Sequence, residues 1–416
     1  MSSLPPVVVG PLSICNSSVR VQGQLIGAVV DLFLDGVNVG SGKASWPDQV
    51  FPLKTGATLK AGHNVTATQT TTGPASGTSA AVVVQTKPKV IGSVACETHI
   101  YECGQCLWLD GMVPGATVEV TVGGVSRGNG TAPDGIARIA LSKPTGPTET
   151  LVAQQTACGS PGTLTTLPPP DLLPGPERQL PPPTVTGPLK ACQVAVQVTA
   201  IDGARVTLSE TPPPGFSEQG CFDMPTLWFQ CPPLTQGAKV SASQNMPGCN
   251  EVASKDSNPP ITVGPPTPVP PPEVVPPLCA GSVTVRLTNL LPGSPVEILH
   301  NGSSYGMGSA PASTFDFPVP PLTGGDVITA RQQLCTDWSA ASNKVKVGPQ
   351  PSTLPQPVVD GPLYQCGAAV HVSNLHPGAT VDVWSTLLGA PIGHQTVYST
   401  AWDIPVSPLL LNGDEI

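Results

Sequence analysis

Cysteine is the residue type with the most chemistry to offer in this chain. Its twelve copies stand at positions 15, 96, 103, 106, 158, 192, 221, 231, 249, 279, 335 and 366. A thiol can be oxidised to a disulfide, hold a soft metal as thiolate, or act as a nucleophile. Their spacing discriminates among these roles. Cys15, Cys192, Cys279 and Cys366 follow a Gly-Pro-Leu or Pro-Pro-Leu phrase, whereas Cys158, Cys249 and Cys335 close an Ala-x-Gln phrase. With Cys103 as the opener of the second set, openers and closers lie 55, 57 and 56 residues apart. One recurring bridge would produce such a constant distance, so the expected pairs are Cys103–Cys158, Cys192–Cys249 and Cys279–Cys335. The extra thiols of the second and third sets suggest Cys96–Cys106 and Cys221–Cys231, although four cysteines allow three pairings. Cys15 is left alone because Thr72 stands where its closer would be. Cys366 is left alone because Ile416 comes before its closer.

The competing chemistry is metal binding. Cys103-x-x-Cys106, with Cys96, His99 and Cys158 nearby, can be drawn as a zinc site. The third and fourth sets keep opener and closer without any Cys-x-x-Cys, so the shared pair needs no metal. Disulfides are the expectation, with no cofactor or metal, and they imply an oxidising compartment. Catalytic motifs are lacking. Gly42-Lys43 fails as the end of a phosphate loop, because Val37 and Ala44 stand where Gly and Ser or Thr are needed. There is no G-x-S-x-G elbow, no H-E-x-x-H and no calcium loop, and the six histidines are scattered. The expectation is a protein that is not an enzyme. Asn16, Asn64, Asn129 and Asn301 lie in N-x-[ST] sequons, which matter only in a eukaryotic secretory pathway.

The elements that position these cysteines repeat with them. A phrase of apolar run, Ala-x-Gln and Cys recurs as PPLTQGAKVSASQNMPGC from Pro232 and PPLTGGDVITARQQLC from Pro320. Anchored on its glutamine, the copies fall at Gln69, Gln155, Gln244 and Gln332, at intervals of 86, 89 and 88 residues. A constant period of this size describes a string of small similar domains. The last repeat shows the pattern best: Val370 and Val372, then Val381 and Val383, alternate with polar residues around Pro377-Gly378. Period-two alternation between turn signals describes strands with one buried face. No window has a helical period with caps. The expected fold is all-β: tandem antiparallel Ig-like β-sandwich domains joined by Pro-rich linkers, the last repeat incomplete. The expected domains are 5–87, 88–167, 181–264, 273–348 and a partial 356–416.

Large apolar residues recur at one offset before the Pro-Leu turn: Trp46, Phe315 and Trp402, with Leu227 beside Trp228 in the third repeat. Such a position is expected to be a core plug, since buried aromatics dominate small cores. Trp384 falls on the opposite face to Val381 and Val383. It is therefore the one aromatic expected to be exposed and a possible ligand contact.

Only 11% of residues are charged and the net charge is −9. A mildly acidic chain without basic clusters does not attract nucleic acid or anionic lipid. No apolar stretch reaches the ~18 residues of a membrane span, and the start MSSLPPVVVG has no signal-peptide pattern. Pro168–Pro183 and Pro259–Pro277 read as stiff polyproline spacers, the first long enough to separate two domains by ~50 Å.

The phrases NLLPGSPVEI (Asn289 to Ile298) and NLHPGATVDV (Asn374 to Val383), the PPLTxG turn and the recurring cysteines resemble the tandem Ig-like or fibronectin-III-like modules of large bacterial secreted and surface proteins. The resemblance implies a non-catalytic stalk, spacer or adhesive array at the cell exterior, engaging a protein or glycan there. The alternative is a carbohydrate-binding accessory region of a longer secreted enzyme, which would need exposed aromatics.

Overall fold

The computed structural model of the chain describes all residues except 1, 97–98, 173–179, 213–215, 222–225, 247–251, 255, 258, 365–366, 368, 377, 398–399 and 407–409. Among the described residues every regular element is a strand. The strands build five successive two-sheet modules, numbered 1 to 5 here, each around its own apolar core.

Module 4 shows the plan. One sheet orders Glu273–Val274, Thr284–Thr288 and Phe315–Pro318. The facing sheet orders Leu278–Cys279, Val345–Gly348, Val327–Leu334, Pro295–His300 and Ser303–Ser309. The core lies between them and includes Val285, Leu287, Val296, Ile298, Phe317, Ile328 and Ala330. These are the alternate residues of each strand, as the two-residue side-chain period requires. Module 1 repeats the layout, with Val19, Val21, Val30, Leu32, Phe51, Val65 and Ala67 inward.

The topology departs from a purely antiparallel sandwich in one respect. The first segment of a module divides between its sheets. In module 1, Val7–Val8 pairs antiparallel with Ser18–Gln22, and Leu12–Ser13 then crosses to pair parallel with Val82–Gln85. Module 4 does the same with Leu278–Cys279 against Val345–Gly348. The GPL phrase thus carries the chain from one sheet to the other, delivering the opener cysteine to the end of the sandwich.

Module 5 has Val358–Val359, Ala369–Ser373 and Trp402–Pro405 in one sheet, and Thr380–Ser385 paired with Ala390–Thr396 in the other. Among the described residues that second sheet has two strands where the same sheet of module 4 has five in line.

Candidate functional site

The disulfides are not where the spacing placed them. Cys158 is bonded to Cys15, with a Cα–Cα distance of 5.0 Å, and Cys192 is bonded to Cys335 at 5.4 Å. Each bridge joins the opener of one module to the closer of the next, and both span 143 residues. The expected pairs Cys103–Cys158, Cys192–Cys249 and Cys279–Cys335 are therefore corrected, as is the expectation that Cys15 stands alone. Cys279 retains a free thiol. Cys103 and Cys106 are both oxidised, which removes the thiolates that a zinc site there would need. Cys96 faces Leu109 across the strand pair, three residues along from Cys106, and Cys231 is in the buried core of module 3. The side chain of Cys221, together with Cys249 and Cys366, lies outside the described residues.

The staples sit in a junction that recurs. At each one, the opener loop of a module meets the Gly turn of the next. Gly115 packs so closely on Cys15 and Asn16 that a Cβ would come within 2.3 Å of the Asn16 nitrogen. Gly203 lies against Gly104, Gly293 against Val194, and Gly378 near Ser282. Small apolar clusters surround the bridged residues: Cys15 packs with Ile91, Val113, Ala116 and Ala157, and Cys103 with Leu180, Ala204 and Met246. The module 1–2 junction adds hydrogen bonds from Ser13 Oγ to the Pro114 carbonyl (2.7 Å) and from Asn16 Nδ2 to the Pro133 carbonyl (2.6 Å). Arg20 there bridges Asp48 in its own module and Asp134 in the next, both at 2.6 Å. Those carboxylates hold its guanidinium pKa above the ordinary value against the opposing effect of burial. Asn16 is buried in these contacts, so its sequon is closed to modification in the folded state.

Contacts also reach beyond sequence neighbours. Ser2–Leu4 runs along the Ser303–Ser309 edge, with Leu4 N–H donating to the Met307 carbonyl (2.8 Å) and Met307 N–H to the Ser2 carbonyl (3.0 Å). Leu4 enters the core of module 4. Gln85 Nε2 donates to the Pro391 carbonyl in module 5 at 2.6 Å. Modules 2 and 3 touch through Gln105 N–H donating to the Gly203 carbonyl (3.1 Å). The segment Pro168–Pro183 thus does not hold these two modules ~50 Å apart.

The four anchor glutamines have a structural task that their repetition alone did not reveal. All are buried on the inward row of their strand. Gln69 Oε1 accepts from Leu25 N–H (2.8 Å) while its Nε2 donates to the Leu4 carbonyl (2.7 Å). Gln155 bridges Val113 N–H and the Gly92 carbonyl, and Gln244 bridges Ile201 N–H and the Pro181 carbonyl. Gln332 does the same with Leu291 N–H and the Pro270 carbonyl. A buried amide must have its donor and acceptor satisfied, and here each one ties the junction turn to the segment entering the module. The small Ala two residues earlier leaves room for a serine hydroxyl to accept a backbone N–H: Ser79 from Ala67, Ser257 from Ala242 and Ser342 from Ala330.

The aromatic expectation needs correction in part. The fully buried plugs are Phe51 and Phe317, with Phe229 and Ile404 at the same strand position in modules 3 and 5. Phe315, Leu227 and Trp402 are two residues earlier, on the same strand face but at its end, and only half-buried. Their extra area goes to junctions. Phe315 packs on Gly23 of module 1, and Trp402 lies under Arg286 of module 4 at 5.3 Å from guanidinium carbon to ring centroid. Trp46 is half-buried and faces Gly293 of module 4. Trp384 is 55% exposed, on the outer face as expected. Among the described residues the ring–ring contacts are His99–Tyr101, His300–Tyr305 and Phe315–Phe317, so Trp384 is not part of an aromatic row.

Ionisable groups are used for turns and junctions. His300 Nε2 contacts Asp326 at 2.8 Å, and this hydrogen bond lowers the Asp326 pKa, helped by Asn301 and Thr323 N–H. His63 pairs with Asp35 at the matching turn of module 1. Asp202, at the module 2–3 junction, accepts from His99 N–H (3.1 Å). Burial nevertheless raises its pKa. Among the described residues no cluster of His, Cys, Asp or Glu is arranged to hold a metal ion, and no helix is long and apolar enough to cross a membrane.

No protein-family description matches the chain, and no curated protein matches it. Among solved structures it is similar to the FN1–FN3 domains of chicken CNTN1, at 11% identity over 64% of this chain and 100% of that one, with a TM-score of 0.19. It is also similar to the BSP domain of a biofilm-associated protein (9% identity, 85% and 96% covered, TM-score 0.19). The central fibronectin-III array of RIM-binding protein matches at 13% identity over 64% and 98%, with a TM-score of 0.19. At such scores the likeness carries no argument about function. The chain is a tandem array of two-sheet β-sandwich modules on the strength of its own sheets and cores.

Proposed function

We propose that this chain is a non-catalytic structural array of the cell exterior, whose modules are locked to one another by disulfides and serve as a stalk, spacer or adhesive scaffold. The observation that carries this reading is that the bridges run between successive modules in one register. A bridge inside a module would stabilise that module alone. A bridge between modules fixes their mutual orientation and holds the array closed under load. Each loop of about 143 residues contributes about 5 kcal/mol in the chain-entropy model. Persistence of these bonds calls for an oxidising compartment, which supports an extracellular or surface location and a protein or glycan partner there.

Single-molecule pulling on the oxidised chain tests the locking. Residues 15–158 and 192–335 should not extend until reductant is added, and each staple should then release roughly 500 Å of contour at ~3.5 Å per residue. Full extension without reductant would refute the reading. The alternative, a carbohydrate-binding accessory region, is favoured by the exposure of Trp384 alone. Glycan binding that is lost in Trp384→Ala, with folding stability unchanged within about 0.5 kcal/mol, would favour it instead.

A further inference from the structure

We propose that the lateral seam of module 4, between its Ser303–Ser309 strand and the opposite sheet, is a binding site for an extended segment anchored by a leucine, and that it joins copies of this chain by taking Ser2–Leu4 of a second copy. The inference goes beyond the locked array, because it rests on module 4 and not on the staples. Within one chain the segment is already seated there. Ser3 pairs in parallel with Met307. Leu4 N–H donates to the Met307 carbonyl (2.8 Å), and Met307 N–H donates to the Ser2 carbonyl (3.0 Å). The Leu4 side chain is 2% exposed and belongs to the same core as Ile298 and Phe317.

The seam is open in module 4 for a reason that can be read in the chain. In module 1 the strand Val37–Lys43 bulges at Val39, and Lys54 N–H donates to the Val39 carbonyl (2.8 Å). In module 2 the strand Val125–Ala132 bulges at Arg127, whose carbonyl accepts from Ser142 N–H (2.6 Å). Lys54 and Ser142 follow strands of the opposite sheet, so these bonds draw the two sheets together along that side. Both residues stand three places after the inward Phe51 or Ile139. The same count from Phe317 in module 4 reaches Pro320, which has no N–H to give. The bulge residue there is Tyr305, and its carbonyl accepts from the Ser2 hydroxyl instead (3.3 Å). Gly306 completes the slot: a Cβ there would stand 3.1 Å from Leu4 Cδ2 and from the Ser2 carbonyl oxygen. An edge of this kind takes an added strand by main-chain bonds and selects it by its side-chain pocket.

The second copy is the occupant because every copy carries both halves of the contact. Gln69 of module 1 holds the Leu4 carbonyl (2.7 Å), so the segment travels with module 1. Module 1 adds the Gly23 carbonyl, which accepts from Ser309 N–H (3.1 Å), and Trp46 against Gly293. Neither staple spans this contact, since Cys15–Cys158 joins modules 1 and 2 and Cys192–Cys335 joins modules 3 and 4. Exchange between copies remakes the same bonds without any new surface, as in domain swapping. The resident segment competes at an effective concentration on the order of mM. Exchange therefore prevails where copies are crowded to that level, as in a layer on a surface.

Two variants of the whole chain, each disabled on one side of the contact, test this. Met307→Pro removes the N–H that bonds Ser2, and proline is tolerated on an edge strand where that N–H points outward. Leu4→Asp places a carboxylate where an apolar anchor is needed. Each variant alone should sediment as a monomer at micromolar concentration. Mixed in equal amounts, they should form a heterodimer in which the intact segment of the first fills the open seam of the second. An excess of a synthetic peptide of residues 2–8 should disperse it, and the same peptide with Leu4→Asp should be weaker by about tenfold or more. As a measurement that does not involve Met307→Pro, the fluorescent peptide 2–8 should bind the Leu4→Asp chain about tenfold tighter than the parent, whose seam is filled. A mixture that stays monomeric, dispersal by both peptides alike, or equal peptide binding to parent and Leu4→Asp would each overturn the proposal. The disulfide map is read separately, so such a failure leaves the locked array standing.

Discussion

The side-chain amide of Gln332 donates to the Pro270 carbonyl at 2.8 Å while its oxygen accepts from Leu291 N–H at 2.9 Å, so one buried residue holds both the entry segment and the junction turn of module 4. A second donation, to the Asn289 carbonyl at 3.0 Å, completes the set. Replacing it with an apolar residue strands at least two buried backbone groups, at ~1–3 kcal/mol each. Gln332→Leu should therefore destabilise module 4 by about 3 kcal/mol. Amide exchange should speed up at Leu291 and along Val327–Leu334, while the core of module 2 remains protected. Hydrogen exchange with mass readout checks both halves.

Gly115 makes a different demand. Its φ is +79°, and a Cβ would fall 2.3 Å from backbone nitrogen in module 1. A left-handed alanine costs ~1–2 kcal/mol before any clash, and backbone cannot step aside as a flexible side chain does. Gly115→Ala should therefore part the junction and leave Cys15 and Cys158 partly reduced after refolding. Thiol counting under denaturing conditions measures this, with Gly124→Ala, where the space around Cβ is open, as the comparison.

Much of the architecture was legible in the residues. Alternation at Val370 and Val372, or Val381 and Val383, marked strands in which these alternate residues are indeed buried, and the glutamine period marked the modules. The staples were misread for an arithmetic reason. A closer that lies about 56 residues from its own opener lies one period farther from the previous opener, so both distances are constant. Loop entropy does not choose either, since closing ~56 or ~143 residues differs by less than ~1 kcal/mol. The choice is made by where the openers sit, and that depends on the crossing of the first segment between sheets. Trp46, Phe315 and Trp402 were misjudged because a conserved-looking offset in a repeat can mark a junction as well as a core. The signal for the glutamine clamp was present: a polar residue in phase with inward Val and Ala must be satisfied internally.

The His300–Asp326 pair sets an acid limit on module 4. The hydrogen bond from His300 lowers the Asp326 pKa. A carboxyl with a depressed folded-state pKa adds stability that is present above its unfolded value of ~3.9 and is lost as pH falls through the folded value. Melting curves between pH 5 and pH 2.5 should show this loss, and Asp326→Asn should lower the melting temperature at pH 7 and flatten the acid limb.

Asp202 has the opposite sign. Burial at the junction of modules 2 and 3 raises its pKa, and its Oδ1 is buried with no hydrogen-bond partner. Ionised Asp202 therefore weakens the fold near neutrality, and its contribution improves as pH falls through the raised folded value. Asp202→Asn should raise the melting temperature at pH 7, with the advantage shrinking as the pH is lowered toward 4. A lower melting temperature at pH 7 would contradict this assignment.

The measurement that bears most directly on the account is peptide mapping of the oxidised chain without reduction, with thiols blocked before digestion. It should recover Cys15 linked to Cys158 and Cys192 linked to Cys335, blocked Cys279, and a partner for Cys103 from module 3. Recovery of Cys103 with Cys158, or of Cys279 with Cys335, would mean that each module is closed on itself, and the locked array would have to be abandoned.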